Sequence, residues 1–157
     1  MTKNLHAAAG LLGGLTILLF FSSTLAVEAS GAHDAIAQAK GLIVWPGLLV
    51  LVPLLALTGL TGRKLAGAHP TGLAAAKLAR MKWIAGNGLC VLVPCALTLN
   101  AWAQQGRLDR PFLIVQGLEL VAGLVNLVLI GLNLADGVKL ARSRRSAGAP
   151  VSLRSGS

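Results

Sequence analysis

The sequence predicts an all-α protein, a bundle of four transmembrane helices joined by short loops. Hydrophobic residues make up 55% of the 157 residues, charged residues only 12%, and the mean hydropathy is +0.74. That balance lies far from the composition of a soluble domain. Four apolar stretches each reach about 20 residues, the length an α-helix needs to cross about 30 Å of hydrocarbon. They cover residues 7–27, 41–60, 83–103 and 112–135, within one membrane domain of residues 1–136.

The basic residues predict the orientation of these spans. Eleven of the fourteen Lys and Arg residues lie in the N-terminal segment, the loop between spans two and three, and the C-terminal tail. The other three are Lys40, Arg107 and Arg110. The positive-inside rule therefore places both termini in the cytoplasm, and we expect a cytoplasmic (inner) membrane of bacterial type. At these positions the basic residues favour anionic lipid headgroups over nucleic acid as partners.

The first span has two interpretations. A basic start, an apolar centre and small residues at Val27 and Ala29 are compatible with a secretory signal cleaved after Ala29. The apolar part is long for a signal peptide, however, and Gly10 and Gly14 have the spacing that lets helices pack closely. We therefore favour a retained first span. Cleavage would leave three spans in the same orientation.

Prolines predict distortions in the two middle spans. Pro46 and Pro53 lie on one face of span two, and Pro94 lies in the middle of span three. Each proline leaves the carbonyl four residues earlier without its usual donor, and in lipid that carbonyl needs another partner. Trp83 and Trp102 bracket span three, as residues of an aromatic belt would.

The C-terminal residues 137–157 predict a basic, disordered cytoplasmic tail. The segment combines Lys and Arg with Ser, Gly and Pro and has no apolar period. Its charge favours contact with anionic lipid headgroups.

A polar stripe along span four is the main functional feature of the sequence. At 100° per residue, Gln116, Glu119, Asn126 and Asn133 fall within an arc of about 100°. Span three carries a similar stripe of Asn87, Cys90, Pro94 and Thr98. The short connection between the two spans predicts antiparallel neighbours, so the stripes are expected to face each other.

We call the two facing stripes the polar seam, and Glu119 is its central residue. We expect it about 10 Å below the outer membrane boundary, at a depth similar to that of Thr98. No Lys, Arg or His is expected at that depth, and burying an unpaired carboxylate costs more than protonating it. The sequence therefore predicts a largely neutral Glu119 at pH 7. Deeper in the span, Asn126 is expected to donate to the Cys90 carbonyl that Pro94 frees. The candidate ligand- or proton-binding residues are Glu119, Gln116, Thr98, Asn126 and Asn87.

The sequence gives no catalytic set, no cofactor motif and no metal-ligand cluster. The three His residues lie at or beyond the span ends, which disfavours a shared haem iron. Cys90 and Cys95 are turned about 140° from each other on one helix, which disfavours a disulfide or a shared metal. A glycine-rich phosphate loop is also absent from the sequence. We therefore expect neither cofactor nor metal, and enzyme activity is not the favoured interpretation.

Three functions are compatible with these features. In the favoured one, the protein is an accessory or assembly subunit of a larger membrane complex, and the polar seam joins helices by hydrogen bonds. The alternative is a small transporter or a ligand- or proton-binding membrane protein that uses an outer-leaflet pocket around Glu119. A third is a membrane-bound redox partner that binds a quinone in the same pocket.

Overall fold

A computed structural model describes the backbone of residues 1–147 and the side chains of residues 1–142. Within these residues the chain is all-helical, and four of its helices are long and apolar enough to cross a membrane. We call them spans one to four: Thr2–Ser30, His33–Ala66, Gly72–Gln104 and Arg110–Arg142. The predicted fold class, an all-α protein with four membrane-length helices, is confirmed.

The two middle spans are each interrupted, span two by a kink and span three by wider, π-helical turns. The α-helices are α1 (Thr2–Ser30), α2 (His33–Leu42), α3 (Leu49–Ala66), α4 (Gly72–Asn87), α5 (Val93–Gln104) and α6 (Arg110–Ala147). A kinked segment, Ile43–Leu48, joins α2 to α3, and a π-helical segment, Gly88–Leu92, joins α4 to α5. Spans two and three are therefore each built from two α-helical halves.

The interruption of span two lies at its first proline, as the sequence predicts. Trp45 leaves the helical region, with φ −136° and ψ 117°, directly before Pro46. Steric contact with the proline ring drives a preceding residue out of the α conformation. Pro53, by contrast, lies inside α3 without such a break.

The interruption of span three lies one turn before Pro94. This proline is in the first turn of α5, where its missing N–H would have had no helical partner in a new helix. The wider π-helical turn accommodates one additional residue in the helix. Every residue after Leu92 therefore faces a different direction from the one that a continuous α-helix would give it.

The four spans run up and down in antiparallel order. Near the start of α1, His6 Nδ1 lies 3.1 Å from both the Thr58 carbonyl oxygen and Thr61 Oγ1, near the end of α3. In the first third of span three, Arg80 donates to Asp136, near the end of span four. Both ends of the described chain therefore lie at one end of the bundle, which we call the basic end. The opposite end carries the two short connections, residues 31–32 and 105–109.

Glycines of α1 let it pack closely on its neighbours, as predicted. A methyl group on Gly14 would lie 3.1 Å from Ile130 Cγ2 in span four, and one on Gly10 would lie 3.5 Å from Thr58 Cγ2 in α3. Gly13, between them, faces Leu55 at 3.3 Å. Span one is therefore held between spans two and four.

Most of the apolar surface of the spans faces outward. Only 17–22% of the residues in the most apolar part of each span are buried, and large side chains such as Leu19, Leu60 and Ile114 are exposed. Such a surface fits a hydrocarbon environment. At the end away from the basic end, buried apolar residues form a compact core; its members are Ile36, Cys95, Leu99, Ala103 and Phe112.

Helix α6 extends beyond the predicted span. It continues to Ala147, so residues 137–147 of the predicted disordered tail are helical. The remainder of that predicted tail, residues 148–157, lies outside the described residues.

Candidate functional site

The site is centred on an ion pair between Lys40 of α2 and Glu119 of α6. Lys40 Nζ lies 2.6 Å from Glu119 Oε2; the Lys40 side chain is fully buried and that of Glu119 is 13% exposed. The prediction that Glu119 has no basic partner at its depth is therefore wrong. The prediction of a neutral Glu119 depended on the absence of such a partner and loses its basis.

Lys40 reaches this position because its helix begins earlier than hydropathy predicts. Span two starts at His33, so Lys40 lies about two turns inside the helix. The predicted loop before span two shrinks to Gly31 and Ala32, and Gly31 adopts the left-handed conformation (φ 64°) that ends α1. The aliphatic part of Lys40 can then cross the apolar core while its ammonium meets the carboxylate.

Two more polar side chains complete the site. Gln116, one turn before Glu119, donates from Nε2 to Glu119 Oε2 at 3.1 Å and is only 4% exposed. Glu28 lies in the last turns of α1, one turn after Thr24, and Thr24 lines a cavity together with Glu119. The Glu28 carboxylate is within electrostatic range of Lys40 and Glu119. Among the described residues, neither Gln116 Oε1 nor Glu28 Oε1 has a hydrogen-bond donor, although both atoms are buried. We call Glu28, Lys40, Gln116 and Glu119 the ionic cluster.

A cavity of about 70 Å³ lies beside the ionic cluster, and all four spans line it. Glu119 is its one ionisable lining residue in the described part of the chain, and Thr24 of α1 is the other polar side chain with a hydrogen-bonding group. Ile43 and Leu48 of the kinked segment and Leu92 of the π-helical segment line it as well. Both helix interruptions therefore adjoin the cavity, which has room for a few water-sized molecules.

An amide pair joins spans three and four deeper in the bundle. Asn126 is fully buried, and its Oδ1 accepts a 2.9 Å hydrogen bond from Asn87 Nδ2, which also donates to the Ala122 carbonyl at 2.9 Å. Asn126 Nδ2 lies 3.4 Å from the Ile84 carbonyl, to which it donates. Spans three and four are thus neighbours that pair polar side chains, as predicted. The predicted bond from Asn126 to the Cys90 carbonyl is wrong.

The rest of the predicted stripe on span three does not face span four. Cys90 and Pro94 are exposed, whereas Cys95 and Leu99 are buried. Thr98 is half-buried, and no hydrogen bond links it to Glu119 in the described chain. The additional residue of the π-helical turn rotates the second half of span three by about 100°. The stripe on span four is continuous, because α6 has no such interruption.

A second charged group lies at the basic end. Arg80 Nη1 donates to Asp136 Oδ2 at 2.8 Å and to Asn133 Oδ1 at 3.0 Å, and Lys139 lies 3.5 Å from Asp136 Oδ1. Asn133, the last residue of the predicted stripe, therefore accepts a hydrogen bond in this charged group at the basic end. This charged group lies at the end of the spans, and Arg80 is partly exposed. Both features fit an anchor between α4 and α6 at the membrane surface.

Sequence reasoning missed Lys40 and Glu28 as members of the site. Both residues flank apolar stretches, at positions where hydropathy alone ends a span. A helical signal was present before span two, in "HDAIAQAK", but it did not indicate that Lys40 turns inward.

Comparison with protein-family models, curated proteins and solved structures found no significant match to this chain.

Proposed function

We propose that this chain is a small multi-pass membrane protein that binds a proton or a small polar ligand at the ionic cluster. The buried Lys40–Glu119 ion pair beside a cavity lined by all four spans carries this proposal. Ionisable residues inside membrane-spanning segments are costly to bury, and they commonly mark ligand or proton pathways.

The buried ion pair is a poor choice if stability alone is needed. Removing two charges from water costs several kcal/mol per ion, and well-packed apolar residues often stabilise a fold at least as well. Among the described residues, two acceptor oxygens of the ionic cluster, Gln116 Oε1 and Glu28 Oε1, also lack donors. A site that exchanges a small donor accounts for both features.

The size of the cavity favours a small occupant. Its volume of about 70 Å³ is several times below the range of about 300–1,000 Å³ typical of pockets for drug-sized ligands. This favours a proton, water or a small ion over a quinone. Within the bundle, Gln116 and Glu119 are the proposed ligand-contacting residues; Asn87 and Asn126 hold span three against span four.

We place the protein in a cytoplasmic membrane, with both termini in the cytoplasm. The basic end of the bundle supports this orientation because it gathers the N-terminus, the loop between spans two and three, and the end of α6. The basic residues there would contact anionic lipid headgroups. In this orientation the ionic cluster lies in the outer leaflet.

The predicted role as an accessory or assembly subunit is the second candidate. The observation that favours it is the extent of outward-facing apolar surface, which could pack against another membrane protein as well as against lipid. Purification in a mild detergent tests it directly. A stable, stoichiometric partner would support the subunit role, and a chain that purifies alone would count against it.

Substitution of Glu119 tests the binding proposal. The variants E119Q, E119L and, as a control at an exposed carboxylate, D34N would be purified and reconstituted into liposomes. We would measure the pH dependence of the unfolding temperature and of flux driven by a pH gradient. Wild type and D34N should respond to pH, and folded E119Q should not. If E119Q keeps the full response while E119L alone loses assembly, Glu119 is a structural residue and the proposal fails.

A further inference from the structure

We propose that the occupant of the ionic cluster is one proton, shared between Glu28 and Glu119 with Lys40 as the fixed positive charge. This inference rests on the proposed binding function and specifies its ligand. It assigns Glu28 a direct role as the second carboxylate of the site.

The first support is the charge of the cluster. Glu28 comes from span one, Lys40 from span two and Glu119 from span four, so three spans bring together one potential cation and two potential anions. With all three groups ionised the cluster carries one net negative charge. A single bound proton makes it neutral, which is the favoured state in a medium of low dielectric constant.

The second support is the unequal pairing of the two carboxylates. Glu119 Oε2 accepts from both Lys40 and Gln116, whereas Glu28 forms no ion pair with Lys40 in the described chain and its buried Oε1 has no donor. A carboxylate without a cation or an amide donor beside it binds a proton more readily than a paired one. In this arrangement, therefore, the proton lies on Glu28.

The third support is the unsatisfied oxygen of Gln116. The hydrogen bond from Nε2 to Glu119 fixes the orientation of the amide, so Oε1 is the atom left without a donor in a side chain that is 4% exposed. A water molecule beside Glu119, or a protonated Glu119 carboxyl, would supply that donor. The site can thus satisfy its hydrogen bonds with the proton on either carboxylate.

The neighbouring groups do not change the charge count. Span three contributes Cys95, a buried thiol that interacts electrostatically with Glu119 and Lys40. Thiols are neutral at pH 7 unless a cation or a metal stabilises the thiolate. On α2 itself, His33 and Asp34 are exposed. On span four, Asp109 and Arg107 form their own exposed ion pair in the connection before it.

Exchange of the proton with water makes and breaks only O–H bonds. A hydronium ion at the membrane surface gives a proton to a Glu28 carboxylate oxygen, where an O–H bond forms and a water molecule is released. Glu28 is partly exposed and in the last turns of α1, so it is the carboxylate nearer to the surface. When that O–H bond breaks and one forms on Glu119, the Lys40 ammonium is left to balance Glu28.

Infrared difference spectroscopy tests this assignment on the full chain in lipid. Glu28 and Glu119 are the only glutamates in the sequence, so ¹³C-glutamate labels these two side chains alone. Between mildly alkaline and mildly acidic buffer, wild type should gain one carboxylic-acid C=O band that shifts with this label. A band that does not shift, or no band, overturns the proposal without any substitution.

Variants then separate the two carboxylates. E28Q and E119Q should each lose the band. In each of these variants the one remaining carboxylate is ionised and neutralises the Lys40 ammonium, so no proton is bound. D34N should keep the band. K40M should show two protonated glutamates. If E28Q keeps the band and E119Q loses it, the proton site is Glu119 alone: sharing is refuted and the proposed function stands. If E119Q keeps the band and the pH response of wild type, sharing and the proposed function both fail.

Discussion

Lys40 Nζ lies 2.6 Å from Glu119 Oε2, although 79 residues separate the two in sequence. The contact joins the first half of span two to span four across the interior of the bundle. Each charge lies beside the other in the interior, so replacement of either residue leaves its partner without the opposite charge. The energetic consequences of this mutual dependence can be measured.

Removal of the lysine alone should destabilise the protein. K40M leaves buried carboxylates without their cation, and breaking one side of a buried pair typically costs about 3–5 kcal/mol. Native K40M must hold more protons than its unfolded chain, so its free energy of unfolding should fall as pH rises. Unfolding by denaturant in detergent at several pH values measures this. The double variant K40M/E119M should recover much of the loss; a double variant less stable than K40M would contradict it.

Gly47 should tolerate no side chain. A methyl group there would lie 2.5 Å from Phe20 Cζ and 2.8 Å from the Leu42 carbonyl oxygen. G47A should therefore destabilise the protein by about 1–3 kcal/mol, the usual cost of overpacking. G59A in the same span is the matched control, because no other part of the described chain lies within 4 Å of a methyl group at that position. Equal unfolding temperatures for the two variants would show that the close approach of spans one and two at Gly47 is absent.

The amide pair should contribute measurably to the association of spans three and four. N126L removes a fully buried side chain that accepts from Asn87 and donates to the Ile84 carbonyl. It leaves buried polar groups unsatisfied, at a cost of about 1–3 kcal/mol. N100L is the control, because Asn100 bonds only to the exposed Gln104 side chain in the described chain. A larger loss for N100L than for N126L would contradict the assignment.

The orientation can be checked by labelling single cysteines on intact cells. In a background of C90A and C95A, cysteines at Ala32 and Gln105 report on one end of the bundle, and a cysteine at His69 reports on the basic end; all three positions are exposed. A membrane-impermeant maleimide should label positions 32 and 105 before lysis and position 69 only afterwards. The reverse pattern would place the basic end outside.

The sequence predicted the fold because apolar length is a local signal. Each span is a run of about 20 apolar residues, which hydropathy detects without knowledge of its neighbours. The inward face of span four could also be predicted, because Gln116, Glu119 and Asn126 recur at helical spacing along an uninterrupted helix. The partners of these residues were predicted correctly only where span three keeps the regular α-helical spacing, as it does up to Asn87.

Two features were beyond a local pattern. Hydropathy ends a span at the first charge, so it excluded Lys40, whose burial depends on a carboxylate 79 residues away. The stripe predicted through Cys90, Pro94 and Thr98 assumed 100° per residue throughout, and the π-helical turn at Gly88–Leu92 breaks that phase. In both cases the physical cause lies in tertiary structure or in a departure from ideal helix geometry.

The break at Trp45 also separates the ionic cluster from the rest of span two. Helix α2, which carries Lys40, is only 10 residues long, and the non-helical backbone of Trp45 separates it from α3. The position of α2 is therefore not fixed to that of α3 by a continuous helix. A small tilt of α2 would withdraw the ammonium from the carboxylate, while the glycine-mediated contacts of α1 with α3 stay in place.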